Sequence, residues 1–197
     1  MGEPESPSQA LARLAEFRRD LALLPSLAIV RRHITFGQCF VLDEHQHFSL
    51  KAEVAEHFKI HPNEVVVVGS GKLGFSIVDE KRFRLFGDTS DIDVAIVSAS
   101  LFDEIWQMVF DYWTETGGFD LEADFREYLF RGWIRPDKLP PTSTFWIRKD
   151  WWEFFRRTTS HGHYGPHKVR GALFRTWHFL ETYQEINVRK CQQDAGV

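Results

Sequence analysis

Two short, largely apolar runs, Val65-Val66-Val67-Val68 and Asp91-Ile92-Asp93-Val94-Ala95-Ile96-Val97, constrain this chain more than any other feature. Each is too short for a stable helix and rich in β-branched residues, and each follows a turn signal, His61-Pro62-Asn63 or Gly87-Asp88-Thr89-Ser90. Such runs predict strands buried on both faces. The second run opens with Asp91 and breaks its apolar character once, at Asp93. Side chains alternate across a strand, so the two carboxylates share a face, roughly 7 Å apart along the chain. At that spacing they repel each other, and a lone carboxylate inside an apolar strand is costly unless a cation accompanies it. Oxygen ligands with open positions suit magnesium or manganese, which take one or two carboxylates plus substrate phosphates.

Gly69-Ser70-Gly71-Lys72-Leu73-Gly74 follows the first run. It reads as a tight strand-to-helix turn whose backbone N–H groups and Ser70 hydroxyl can donate to a triphosphate, helped by the N-terminus of the next helix. It lacks the Gly-x-x-x-x-Gly-Lys-Ser/Thr spacing of a P-loop. Lys72 is counted as a phosphate-binding candidate beside Gly69, Ser70 and Gly71, although a solvated helix residue is the plainer reading.

An apolar strand, Gly-Ser, a spacer and then Ser90-Asp91-Ile92-Asp93-Val94-Ala95-Ile96-Val97 resembles the nucleotidyltransferase superfamily related to DNA polymerase β. The resemblance spans residues 65–97 and the helix after them. It implies an α/β (α+β) nucleotidyltransferase core with a small mixed sheet, flanked by an N-terminal helix and a C-terminal helical region. It also implies roles: Gly69 and Ser70 hold the nucleotide's phosphates, while Asp91 and Asp93 are the catalytic carboxylates that ligate two Mg2+ (or Mn2+) ions. A nucleoside monophosphate then passes from an NTP or dNTP to an acceptor hydroxyl. A nucleotide or oligonucleotide 3′-hydroxyl is the first expectation for that acceptor, and a protein hydroxyl the second. The short length and Phe/Trp-rich helices look somewhat like bacterial defence-associated members, which implies a role in antiviral defence. The alternative is an inactive nucleotidyltransferase-fold binding module, a regulatory subunit of a toxin or effector system.

Two departures from that superfamily stand out. The spacer before Asp91 is long and carries Asp79-Glu80-Lys81-Arg82-Phe83-Arg84, either a hairpin that brings Lys81, Arg82 or Arg84 to phosphate or a solvated protrusion. The third carboxylate that the superfamily normally adds from a later strand is missing. Asp120, Glu122 and Asp124 fall at a helix start, and Asp137 and Asp150 are the remaining candidates to complete the site.

Other clusters compete. His161, His163 and His167 in a Gly-containing loop could supply three imidazoles to zinc, or serve as proton carriers or phosphate contacts beside the nucleotide. His45 and His47 sit in an apparent turn and receive no site role. Trp151, Trp152, Phe154 and Phe155 adjoin Arg156 and Arg157, an arrangement that can stack bases and contact phosphates. Aromatics at helical spacing, Trp177, Phe179 and Tyr183 among them, are more often core. Arg156, Arg157, Lys168, Arg170 and Arg175 remain contacts for an anionic acceptor or triphosphate.

The rest of the chain reads as helices and loops: a helix over 8–24, two strands or a helix and a strand over 27–42, a turn over 43–47 and a helix over 49–58. A helix over 100–113 ends at Gly117-Gly118. Helical residues 121–133, a Pro-rich loop and a strand over 144–148 follow, then helices over 151–157 and 169–191. Residues 146–190 carry nine Lys/Arg against four Asp/Glu in a chain of net charge −4. This divides a core at 1–145 from a basic, aromatic helical region at 146–197 packed on it. No run nears the roughly 20 apolar residues of a membrane span. The acidic, Pro/Ser-containing start is unlike a signal peptide. Cys39 and Cys191 form no disulfide framework, so a reducing cytoplasmic setting is expected, with no membrane partner.

Overall fold

The computed structural model describes residues 7–143 and 145–196. In chain order these residues form α1 (Pro7–Leu23), α2 (Ser26–Val30), α3 (Glu44–Phe58), β1 (Val65–Val68), α4 (Gly69–Leu73), β2 (Ile92–Val97) and α5 (Ala99–Thr116). Then come α6 (Glu122–Phe130), β3 (Trp133–Ile134), α7 (Trp146–Ser160), β4 (Val169–Phe174) and α8 (Trp177–Asp194). The protein is a mixed α/β fold: helices surround a four-stranded sheet of order β1-β2-β4-β3. β1 and β2 are antiparallel, with Val68 opposite Asp93, and β3 runs antiparallel to β4. β2 and β4 are parallel.

Both apolar runs are strands, and helices cover both sides of them. Ile92, Val94 and Ile96 of β2 pack with Leu50, Phe102 and Phe154 of α3, α5 and α7. Ala95 and Val97 join the opposite layer with Phe17, Ile29 and Leu180 of α1, α2 and α8. The alternation that sorts these apolar residues puts Asp91 and Asp93 on the α8 side.

Four expectations for local structure are corrected. First, residues 27–42 contain no strand: α2 runs into a wider helical turn at Arg31–Thr35, and residues 36–42 are irregular. Second, the turn expected at 43–47 is already helix. The Gln46 N–H donates to Asp43 Oδ1 (2.8 Å) and the Asp43 N–H to Gln46 Oε1 (3.2 Å), a capping box that starts α3 at Glu44.

Third, the strand expected at 144–148 is helical from Trp146, where Ile147, Trp151, Phe154 and Phe155 make one buried face of α7; Thr144 lies outside the described residues. Fourth, the long helix expected at 169–191 is two elements. Val169–Phe174 is β4, and only Trp177–Asp194 is helix. At Gly171 a Cβ would collide with the Phe155 ring, so the missing side chain lets α7 pack close against this strand. The 146–197 region therefore supplies a strand lying between β2 and β3, as well as helices.

Candidate functional site

The topology brings three strand ends together. Because β1 is antiparallel to β2, the turn leaving β1 lies beside the residues that enter β2. Because β4 is parallel to β2, its first residues lie at the same end, with Arg170 opposite Asp93. A cleft of about 580 Å³ opens there, bordered by Gly69 and Ser70, by Asp91 and Asp93, and by Arg170 and Tyr183. Volumes of several hundred cubic ångströms are usual for small-molecule sites.

Gly69 and Asp93 are in direct contact. Gly69 has φ +67°, and a Cβ placed on it would lie 2.7 Å from Asp93 Oδ2. The glycine thus meets two demands, a left-handed backbone and room for the carboxylate. Asp93 makes no hydrogen bond or ion pair with any other described residue. Burial first, and then the Asp91 charge, push its carboxyl up to about 6, while Arg170 and Lys81 pull the other way. Asp91 is at the rim, where Arg170 Nε approaches Asp91 Oδ2 to 3.2 Å.

The approach to Asp91 is fixed from behind. The His167 ring faces the Ser90 carbonyl through Nδ1 at 3.1 Å, and a carbonyl only accepts, so Nδ1 carries the hydrogen. The Ile92 N–H donates to the Lys168 carbonyl (2.8 Å). His167 is therefore a backbone anchor. His161 and His163 stack on each other with ring centroids 5.7 Å apart. No group of three His, Cys, Asp or Glu arranged for a metal occurs among the described residues.

The long spacer forms a small hairpin. Phe75 bridges Leu85, the Ser76 N–H donates to the Arg84 carbonyl (2.9 Å), and the Phe83 N–H to the Ser76 carbonyl (2.7 Å). It carries Lys81 and Arg84 to the cleft wall, where neither side chain has a hydrogen bond or ion pair among the described residues. Arg82 points away, paired with Asp79 and Asp194.

The four turn residues separate. Gly69 and Ser70 border the cleft; Gly71 and Lys72 do not. Gly71 is packed behind, where a Cβ would come within 3.3 Å of Val41. Lys72 is 2% exposed, and its Nζ donates to the Gly37 carbonyl at 2.6 Å, away from the carboxylates. The expectation that it contacts phosphate is corrected on that ground. α4 is five residues long, so a helix macrodipole adds little at Ser70. Gly69, Gly71 and Gly74 also satisfy the Gly-x-Gly-x-x-Gly spacing, but β1 and β2 are antiparallel and the helix is a single turn, unlike a dinucleotide-binding βαβ unit.

Neither candidate third carboxylate is free at the site. Asp137 borders the cleft but is gripped by Arg135 through Nε and Nη2, both at 3.0 Å. Asp150 accepts from His57 (2.9 Å) on the α7 side. Tyr183, Gln184 and Asn187 of α8 also border the cleft, positions that sequence reasoning assigned to a packed helix face or passed over. Of the aromatic and basic cluster within α7, Trp151, Trp152 and Phe155 border the cleft, while Arg156 and Arg157 do not.

Two carboxylates on one face, one rim-exposed and one lacking a partner among the described residues, fit a single hard cation completed by substrate oxygens. Comparison with known proteins found no matching family, no matching curated protein and no matching solved structure. No helix among the described residues is long and apolar enough to cross a membrane.

Proposed function

We propose that the protein is a metal-dependent nucleotidyltransferase of the DNA polymerase β-like type. It transfers a nucleoside monophosphate from an NTP or dNTP to an acceptor hydroxyl, with a nucleotide or oligonucleotide 3′-hydroxyl favoured over a protein hydroxyl. The observation that carries this reading is the contact between Gly69 and Asp93, which joins the turn and the carboxylate pair in one cleft. Asp91 and Asp93 would hold Mg2+ or Mn2+, which when bound neutralises phosphate charge and favours the ionised form of the attacking hydroxyl.

The chain's own groups have separable tasks. The Ser70 hydroxyl and the cations of Lys81 and Arg84 hold the β- and γ-phosphates, orienting the α-phosphorus for in-line attack. The acceptor oxygen bonds to that phosphorus, the bridging bond to the β-phosphate breaks, pyrophosphate leaves, and the hydroxyl proton passes to solvent. Trp152, 46% exposed on the cleft border, would stack on a base. A role in antiviral defence belongs to the same proposal.

The second reading, an inactive nucleotide-binding subunit of a toxin or effector system, is favoured by one observation, the pairing of Arg170 with Asp91. Incubation with each α-labelled NTP and dNTP and Mg2+ or Mn2+, for wild type and Asp91→Ala/Asp93→Ala, separates the two. Label transferred by wild type alone supports the transferase and identifies its acceptor. Nucleotide binding without transfer under any condition overturns it in favour of the binding module.

A further inference from the structure

We propose that this cleft holds one divalent cation per chain rather than two, and that the Arg170 guanidinium supplies the second positive charge on the triphosphate. The inference rests on the nucleotide-transfer reading and specifies how its site is charged. β4 is the strand beside β2 at the carboxylate end, and its residues Val169-Arg170-Gly171-Ala172-Leu173-Phe174 include no acid. The position opposite Asp93, from which a third carboxylate would reach the shared face, is Arg170. Asp137 and Asp150 are held by Arg135 and His57.

Two hard cations need more oxygen donors than Asp91 and Asp93 provide, and the space next to Asp91 already contains a guanidinium, with Nε 3.2 Å from Oδ2. A second divalent ion there would be repelled by that positive charge. The Arg170 side chain is 57% exposed and held by a single ion pair at Nε, which leaves the fork open to two phosphate oxygens. Asp93, without a hydrogen-bond or ion-pair partner among the described residues, is left as the principal ligand of the one ion.

The test counts ions directly. Wild type, Arg170→Gln and Arg170→Glu are titrated with Mn2+ by electron paramagnetic resonance, with the α,β-methylene analogue of each ribonucleoside and deoxyribonucleoside triphosphate in turn. Nucleotide affinity is measured in parallel, and folding is checked by circular dichroism. Wild type is expected to bind one Mn2+ per nucleotide-occupied chain. Arg170→Gln should keep that count but bind the analogue about tenfold or more weakly, as loss of a charged fork to phosphate requires. Arg170→Glu, with a third carboxylate restored, should take up a second Mn2+. Two Mn2+ per wild-type chain would overturn the inference and leave the transferase reading standing. One Mn2+ with unchanged affinity in Arg170→Gln would overturn the role of Arg170. No Mn2+ and no bound analogue in folded wild type would overturn the transferase reading itself, and this inference with it.

Discussion

The two sides of the turn after β1 each bury a charge, and they satisfy it differently. Behind the turn, Lys72 is enclosed near Cys39, His47 and Lys51, and burial lowers its pKa. Its ammonium nevertheless has a backbone acceptor, the Gly37 carbonyl. The residues around it are tied down as well: the Phe40 and Val41 N–H groups donate to the Lys72 and Gly71 carbonyls (3.1 and 3.0 Å). In front, Asp93 faces a cleft with no partner of its own among the described residues, and burial together with Asp91 raises its pKa to about 6. A buried charge completed by the backbone holds the fold, whereas one left unpaired at a cleft opening is completed by what binds there.

The sharpest way to break that contrast is to neutralise each charge in turn. Asp93→Asn should lower nucleotidyl transfer by about a thousandfold or more, the scale of removing a principal electrostatic contact to the reacting phosphate. Lys72→Met should leave transfer per folded molecule within about threefold, since its ammonium lies outside the cleft. Label transfer at matched folded fractions measures both, and a comparable loss in Lys72→Met would erase the distinction.

Gly69→Ala is next in size. The added Cβ meets Asp93 Oδ2 at 2.7 Å on a backbone of φ +67°. A cost of about 1–2 kcal/mol in urea unfolding and a roughly hundredfold loss of transfer are expected. Full activity in this variant would show that the contact between the two motifs is incidental.

Stability should respond with opposite sign at the two charges. Asp93 titrates near 6 when folded and near 3.8 when free, so between those values the folded state holds the extra proton. Stability therefore falls as pH rises through that window, and the full cost is present above pH 6. Asp93→Asn removes the cost and should stabilise the metal-free protein by about 2 kcal/mol at pH 8, a gain that vanishes near pH 4. Lys72→Met, which deletes the hydrogen bond to Gly37, should instead lose about 1 kcal/mol. Thermal unfolding across pH measures both.

Legibility from sequence followed the same divide. β1, β2, the Gly69-Ser70 turn and the shared face of Asp91 and Asp93 were readable because they depend on local alternation and short apolar runs. What failed depends on tertiary context. Lys72 looked like part of the turn's chemistry because spacing does not reveal which way a helical side chain leaves a one-turn helix. β4 was hidden because Val169-Arg170-Gly171-Ala172-Leu173-Phe174 borders a true helix, and its strand state rests on pairing with β2, 77 positions upstream in register at Asp93 and Arg170. Arg170 was noted as a cation, but its position opposite Asp93 follows only from that pairing. The Asp43 capping box could have been read, since Asp43 and Gln46 have the required three-residue spacing.

The most direct measurement is nucleotide binding by the folded chain with and without Mn2+, by equilibrium dialysis with labelled triphosphates, for wild type, Asp93→Asn and Lys72→Met. Binding that requires Mn2+ in wild type and Lys72→Met but is lost in Asp93→Asn is the predicted result. Equal binding in wild type and Asp93→Asn would contradict the assignment of Asp93 to the cation and of the cleft to the nucleotide.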